Sequence, residues 1–301
     1  MRLRYQIDRL ERSAALDPAA RALAALWDTV LPAGRVRDAL HGVWLGHPLH
    51  PALTDLPIGF WTSAMLADAT GERGRQAAQT LVGAGVLAAL PTIASGASDW
   101  VAVGAFDKPK RVGVVHALAN GTATMLYAAS WLRRRSGRHR QGQWLALAGA
   151  TAATVGGTLG GHLAYRNAVG VDHTAGEQGV TEWTDAGGLR DLPMRVPVRR
   201  RVGDDDVLLY RLGSTVRAVS ATCSHLGGPL DEGTVDGECV TCLWHGSTFR
   251  LDDGSVVHGP ATSPQPAYDV RVVGRRVQVR LEAEPARERL TGHHEEAPSH
   301  A

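Results

Sequence analysis

The chain has 301 residues, a formal net charge of +2, and 44% hydrophobic against 21% charged residues. Charge this close to balance, without a basic stripe interleaved with aromatics, excludes a nucleic-acid binder, and the length suits two domains. The halves differ: to about Tyr165 the chain is rich in Ala, Gly, Leu and Trp, and beyond it in charged residues and valine.

Residues 1–41 read as an N-terminal helical segment. Arg2, Arg4, Arg9 and Arg12 precede no apolar run, which argues against a secretory signal peptide. Ala19 to Val30 has the composition of a short amphipathic helix, lying on a membrane surface or solvated as an ordinary surface helix.

Residues 42–172 read as a four-span membrane domain. Apolar runs at Leu53 to Ala69, Ala77 to Ala97, Val112 to Leu132 and Trp144 to Leu163 each approach the ~20 residues that cross a bilayer as helix. The first is the shortest and carries Asp55, Pro57 and Asp68; the second and fourth carry no charged residue and no polar face. Gly156 with Gly160 and Gly157 with Gly161 are small-xxx-small pairs that let helices approach closely in lipid. Trp61, Trp100, Trp131 and Trp144 fall near the ends, where interfacial aromatics concentrate.

This half gathers histidines. Gly46-His47-Pro48-Leu49-His50-Pro51 stands just before the first run, His116 early in the third and His162 at the end of the fourth. Four spans place His47, His50, Asp99, His116 and His162 at one membrane face, with Asn120 one helical turn deeper than His116. Ionisable groups in spans are costly and often mark ligand sites. Three readings are open. Axial ligation of a haem b would draw on His50, His116 and His162; another metal or a quinone would use His47, His50, His116 and His162; or the imidazoles cap helix ends and bond to Asp99, Asp55 and backbone.

Residues 173–194 are rich in Gly, Asp and Thr without apolar period and read as a linker. From 195 to 281, alternating runs at Val207 to Leu212, Thr215 to Ser220, Cys239 to Cys242, Val270 to Val273 and Val277 to Leu281 predict a small antiparallel β domain. Residues 282–301 are polar and read as a disordered tail, with His293-His294 solvated.

The chemistry concentrates between Cys223 and Ser247. Cys223 and His225 are separated by one residue, Cys242 and His245 by two, so each half presents one thiolate and one imidazole from a short loop. Zinc also takes two cysteines and two histidines, but zinc fingers usually space the cysteines as one knuckle and the histidines as a later pair. One of each per loop suits a 2Fe-2S cluster with thiolates on one iron and imidazoles on the other. Cys239 is left as a buried free thiol.

These residues resemble the Rieske family: Cys-x-His-x-Gly, then Cys-x-x-His-Gly-Ser, then Gly259-Pro260-Ala261 as its proline loop. The resemblance implies an antiparallel β-sandwich with cluster-binding loops. It also implies that Ser247 hydrogen-bonds the cluster region and raises its potential, with Trp244 and Leu226 shielding it. Gly228 stands where cytochrome bc Rieske subunits carry a disulfide cysteine, which makes the domain look ferredoxin-type. The membrane half resembles the bacterial proteins of domain of unknown function 2231. The matching residues are Gly46 to Pro51 through Leu56-Pro57-Ile58-Gly59, then His116 to Asn120, and Gly161 to Val171. That resemblance implies a four-helix membrane domain and no activity.

The expectation is a multi-pass cell-membrane protein, in contact with the lipid bilayer, that relays single electrons between a redox partner protein and the membrane or its quinone pool. A ferredoxin-like donor to an oxygenase and a non-enzymatic redox sensor are the alternatives. Only 56 residues follow His245, too few for a separate two-histidine, one-carboxylate iron domain. Arg73, Arg75, Arg133, Arg134, Arg135, Arg138 and Arg140 opposite the histidines tilt the head outward by the positive-inside rule. Arg35, Arg37, Lys108, Lys110, Arg111 and Arg166 on the histidine face, and the missing disulfide position, pull the other way.

Overall fold

The computed structural model describes residues 2–103 and 107–282. The tail beyond Glu282, with His293 and His294, lies outside the described residues. Two compact units form, Met1–Gly42 with Pro48–Gly170, and Val43–His47 with Val171–Ala301.

The first unit is helical: α1 (Arg2–Glu11), α2 (Asp17–Val30), α3 (Arg35–His41), α4 (Leu49–Ala69), α5 (Arg75–Ala102), α6 (Asp107–Arg135) and α7 (His139–Tyr165). The four apolar runs fall on α4 to α7, which pack chiefly as the hairpins α4–α5 and α6–α7, with further contact between α5 and α6. Helix α4 opens at Leu49, so His50 and Pro51, expected ahead of the first span, belong to its first turns. The amphipathic segment forms α2, with Pro18 in its first turn, where a missing N–H costs nothing.

Expected spans and observed apolarity differ. Among the described residues one stretch, Gly71–Ala102, is long and apolar enough to cross a bilayer, with a mean hydropathy of 1.6 over an 18-residue window within its 32 residues. The other three helices are long, at 21, 29 and 27 residues. Their apolarity is diluted by Asp55 and Asp68 in α4, His116 and Asn120 in α6, and a Gly/Thr-rich α7.

Small residues line the interior. Ala78, Val82, Gly85, Ala89, Thr92, Ser95 and Ser98 recur every three or four positions as the buried stripe of α5, while Leu66, Leu87, Leu90, Leu118 and Met125 face outward. Close approach is obligatory: a Cβ on Gly85 would meet the Trp61 indole at 2.3 Å, and Trp61 itself stacks on Tyr127 with centroids 4.0 Å apart. Asp68, which reads as a flaw in the first span, holds the buried Arg134 in a bidentate pair at 2.7 and 2.6 Å.

The second unit is antiparallel β. Its strands are β1 (Thr184–Gly188), β2 (Pro197–Val202), β3 (Asp205–Leu212), β4 (Thr215–Ser220), β5 (Thr234–Asp236), β6 (Cys239–Thr241), β7 (Thr248–Arg250), β8 (Val256–His258), β9 (Tyr268–Val273) and β10 (Arg276–Leu281). They make three sheets, ordered β1-β10-β9, β2-β3-β4 and β5-β6-β7-β8. Val273 pairs with Arg276 across a two-residue turn whose first member, Gly274, has φ +63. That left-handed value suits glycine, and such turns match the strand twist.

Strand β3 explains the layering. Val207, Leu208, Leu209 and Tyr210 are all buried because alternate side chains enter two cores. Leu208 and Tyr210 join Val219, Cys223, Val240, Cys242 and Phe249, while Val207 and Leu209 join Val216, Ala218, Tyr268, Val277 and Val279. Each such side chain contributes about 1.5–3 kcal/mol on full burial.

The stretch 173–194, expected as a linker, is a correction. Thr184 to Gly188 forms β1 on β10. His173 N–H donates to Ser224 O at 2.9 Å, and Leu281 N–H to Val180 O at 2.7 Å. Val180 and Leu189 pack against the second core, an apolar contribution too sparse to show as a period. Gly187 and Gly188 sit where β1 bulges past β10 rather than in a flexible tether.

Candidate metal centre

Two loops of the β unit repeat one construction. The Cys223 N–H donates to Gly228 O at 2.7 Å and the Gly227 N–H to Cys223 O at 2.8 Å. The Cys242 N–H donates to Ser247 O at 2.9 Å and the Gly246 N–H to Cys242 O at 3.0 Å. Both loops thus close with i to i+4 and i to i+5 bonds, and both turn on a left-handed glycine, Gly227 at φ +72 and Gly246 at φ +81. Backbone N–H groups of His225 and Leu226 aim at the Cys223 sulfur, and those of Trp244 and His245 at the Cys242 sulfur.

Both cysteines are 2% exposed. The hydrogen bond between their sulfurs draws the Cys242 thiol down to about 6 and pushes the Cys223 thiol up. The His225 and His245 rings lie 5.0 Å apart at 83°. A Cβ on Gly228 would sit 2.9 Å from the Cys242 sulfur and 3.0 Å from the Trp244 ring, so hydrogen alone at this position keeps the cradle open. Among the described residues no three of His, Cys, Asp or Glu converge as ligands of one ion; the donors come as a thiol pair and an imidazole pair. That division fits a 2Fe-2S cluster.

Ser247 is fully buried and its Oγ accepts from the Ala261 N–H at 3.0 Å, which ties the second cluster loop to the proline loop. Its hydroxyl proton is a further donor. Trp244 is 46% exposed and Leu243 61%, so shielding by Trp244 is partial, and Leu226 is half-buried. Cys239 is free, as expected, but half-buried. Sequence reasoning misses Ser224, whose Oγ donates to Ser263 O at 2.8 Å. It also misses Gln265, whose amide, turned to satisfy its neighbours, accepts from Ser224 N–H at 2.7 Å and donates to Thr222 O at 2.8 Å. Neither lies in a spacing pattern that would mark it.

The helical unit brings together two of the four histidines singled out there. His50 and His116 have ring centroids 6.4 Å apart at 79°. His162 instead bonds through Nε2 to Glu11 at 2.9 Å. Burial would raise the Glu11 carboxyl, but bonds from His162 and Asn167 outweigh it and hold it below its ordinary value. His47 is exposed and belongs to the second unit. Asp99 pairs with His41, a histidine the sequence reading passed over, at 2.8 Å.

Fold and centre define an iron–sulfur protein in which paired loops gather two thiols and two imidazoles. The family model described as "Rieske 2Fe-2S domain" matches residues 182–269, and "Predicted membrane protein (DUF2231)" matches 46–173. Ferredoxin CarAc of Metapseudomonas resinovorans is 35% identical over 79 residues, covering 26% of this chain and 74% of its own. The cytochrome b6-f complex iron-sulfur subunit of Chlorobaculum tepidum is 29% identical over 97 residues, 32% of this chain and 51% of that one, so about half its length is spanned. The solved ferredoxin of carbazole 1,9a-dioxygenase from Nocardioides aromaticivorans is 31% identical, covering 34% of this chain and 100% of its own, with a TM-score of 0.32. The chain belongs to the Rieske 2Fe-2S family, fused here to a DUF2231 domain, and its cofactor is a 2Fe-2S cluster.

Proposed function

We propose that this protein is a membrane-anchored Rieske iron–sulfur protein that passes single electrons between a redox partner and the membrane. The carrying observation is the pair of equivalent loops, which presents two buried thiols and two adjacent imidazoles. Cys223 and Cys242 would hold one iron, His225 and His245 the other. When bound, the cluster supplies one-electron chemistry. The chain's own contribution is to fix charge and access. Backbone N–H groups aimed at both sulfurs favour the thiolates, and Ser247 adds a hydroxyl donor of the kind that raises cluster potential. Leu243 and Trp244 expose apolar surface beside His245, where a partner could dock.

Multi-pass anchoring is supported by the length of α4 to α7 and by their inside-out pattern, small residues within and leucines without. The outward tilt given by the loop arginines makes an extracytoplasmic head the reading to test. A ferredoxin-like donor to an oxygenase is favoured by one specific observation, the 35% identity to a ferredoxin. The lack of a second pair of cysteines agrees, since only Cys239 remains beyond the ligands.

The test is a paramagnetic and metal analysis of the full chain purified in detergent. The expected result is a Rieske-type signal with two coupled imidazole nitrogens. One zinc and no iron per chain overturns the reading. Reduction that alters partner binding without electron throughput would favour a sensor over a carrier.

A further inference from the structure

A second pair of imidazoles, in the helical unit, is built as a ligand site. His50 of α4 places Nδ1 2.9 Å from Thr92 O of α5, and His116 of α6 places Nδ1 2.8 Å from Gly156 O of α7. A carbonyl oxygen only accepts, so each Nδ1 carries a proton, and in the neutral imidazole the lone pair then sits on Nε2. Metal-ligating histidines are prepared in this way, the second nitrogen anchored to a carbonyl.

The spacing agrees. Two trans metal–nitrogen bonds of roughly 2.0–2.1 Å would set imidazole centroids a little over 6 Å apart, where a tetrahedral ion would draw them closer; the rings stand 6.4 Å apart. Glycines on the other two helices make room for the rings. A Cβ on Gly96 would lie 2.6 Å from His50 Cε1, and one on Gly160 3.0 Å from His116 Cε1. Asn120, one turn along α6, holds its Nδ2 3.3 Å from both ring nitrogens of His116, with its shorter bond, 3.0 Å, to the His116 carbonyl. All four long helices thus contribute to one polar spot, as in bundles that hold cofactors in their cores.

We propose that His50 and His116 ligate one metal centre through their Nε2 atoms within the helical unit. Two protein ligands leave the remaining positions to something else. A haem iron brings four nitrogens of its own and needs only two imidazoles; a bare copper or zinc ion would take water or the Asn120 amide as well, and a tetrahedral one would draw the two rings closer. The shared chemistry is the pair of imidazole Nε2 donors, and it does not depend on the cluster in the β unit.

The test uses the full chain in detergent. A Soret band that shifts on reduction identifies haem. No band, but copper or zinc bound at one per chain beyond the iron of the cluster, identifies the ion. Either should fall at least tenfold in H50A and in H116A, with the Rieske paramagnetic signal kept. Should those variants fold poorly, the unaltered chain decides by itself, titrated with haemin and separately with zinc chloride. Binding of neither, or metal content and spectra identical in unaltered chain and double variant, overturns the proposal.

Discussion

Two pairs of histidines in this chain look alike and are held in opposite ways. His225 and His245, 5.0 Å apart at 83°, ride on loops that close their own hydrogen bonds within five residues of each cysteine. His50 and His116, 6.4 Å apart at 79°, are held by carbonyls of two other helices, 42 and 40 residues away in sequence. The first pair is a property of two short segments. The second is a property of the packed bundle, to which all four long helices contribute.

That contrast can be broken most sharply at the β unit. His245→Ala should abolish the Rieske signal completely while the helical content stays unchanged by circular dichroism; a surviving intact cluster removes His245 from the ligand set. The next largest effect belongs to the bundle. Asp68→Ala strands the fully buried Arg134 guanidinium and should cost the helical unit roughly 3–5 kcal/mol, read as a lower unfolding midpoint with the cluster signal intact. If the cluster fails together with the helices, the two sites are not independent.

Gly228→Ala is smaller. Its Cβ would press on the Cys242 sulfur and the Trp244 ring, and an overpacked site costs about 1–3 kcal/mol, so cluster loading should fall several-fold in iron analysis. Wild-type loading would show that the cradle can give way.

The smallest effect is a pH slope. Burial holds the Glu177 carboxyl above its ordinary value, against a hydrogen bond from Ser220 Oγ at 2.9 Å. The folded β unit therefore keeps a proton that the unfolded chain releases, and its stability falls as pH rises from about 4.5 through the raised folded value. Glu177→Gln should flatten that slope in unfolding midpoints taken from pH 4 to 8; an unchanged slope assigns it to another group.

Much of the centre was legible because its information is local. Cys223, His225, Cys242 and His245 lie in two short segments whose spacing alone separates a mixed cluster from a zinc knuckle, and the strand runs from Val207 to Ser220 alternate with two cores. Ser224 and Gln265 were not legible, since one is an ordinary loop serine and the other reaches it from 41 residues on. The supposed linker was misread for a related reason: β1 is glycine-rich and gets its strand character from pairing with β10.

The sequence by itself determined the cofactor class and the two-part organisation and proposed the ligand set, because spacing and composition act over a few residues. The tertiary structure alone decided which histidines meet. His162 went to Glu11 and Asp99 to His41, while His50 and His116 came together, because helix packing and not proximity along the chain sets which imidazoles can touch.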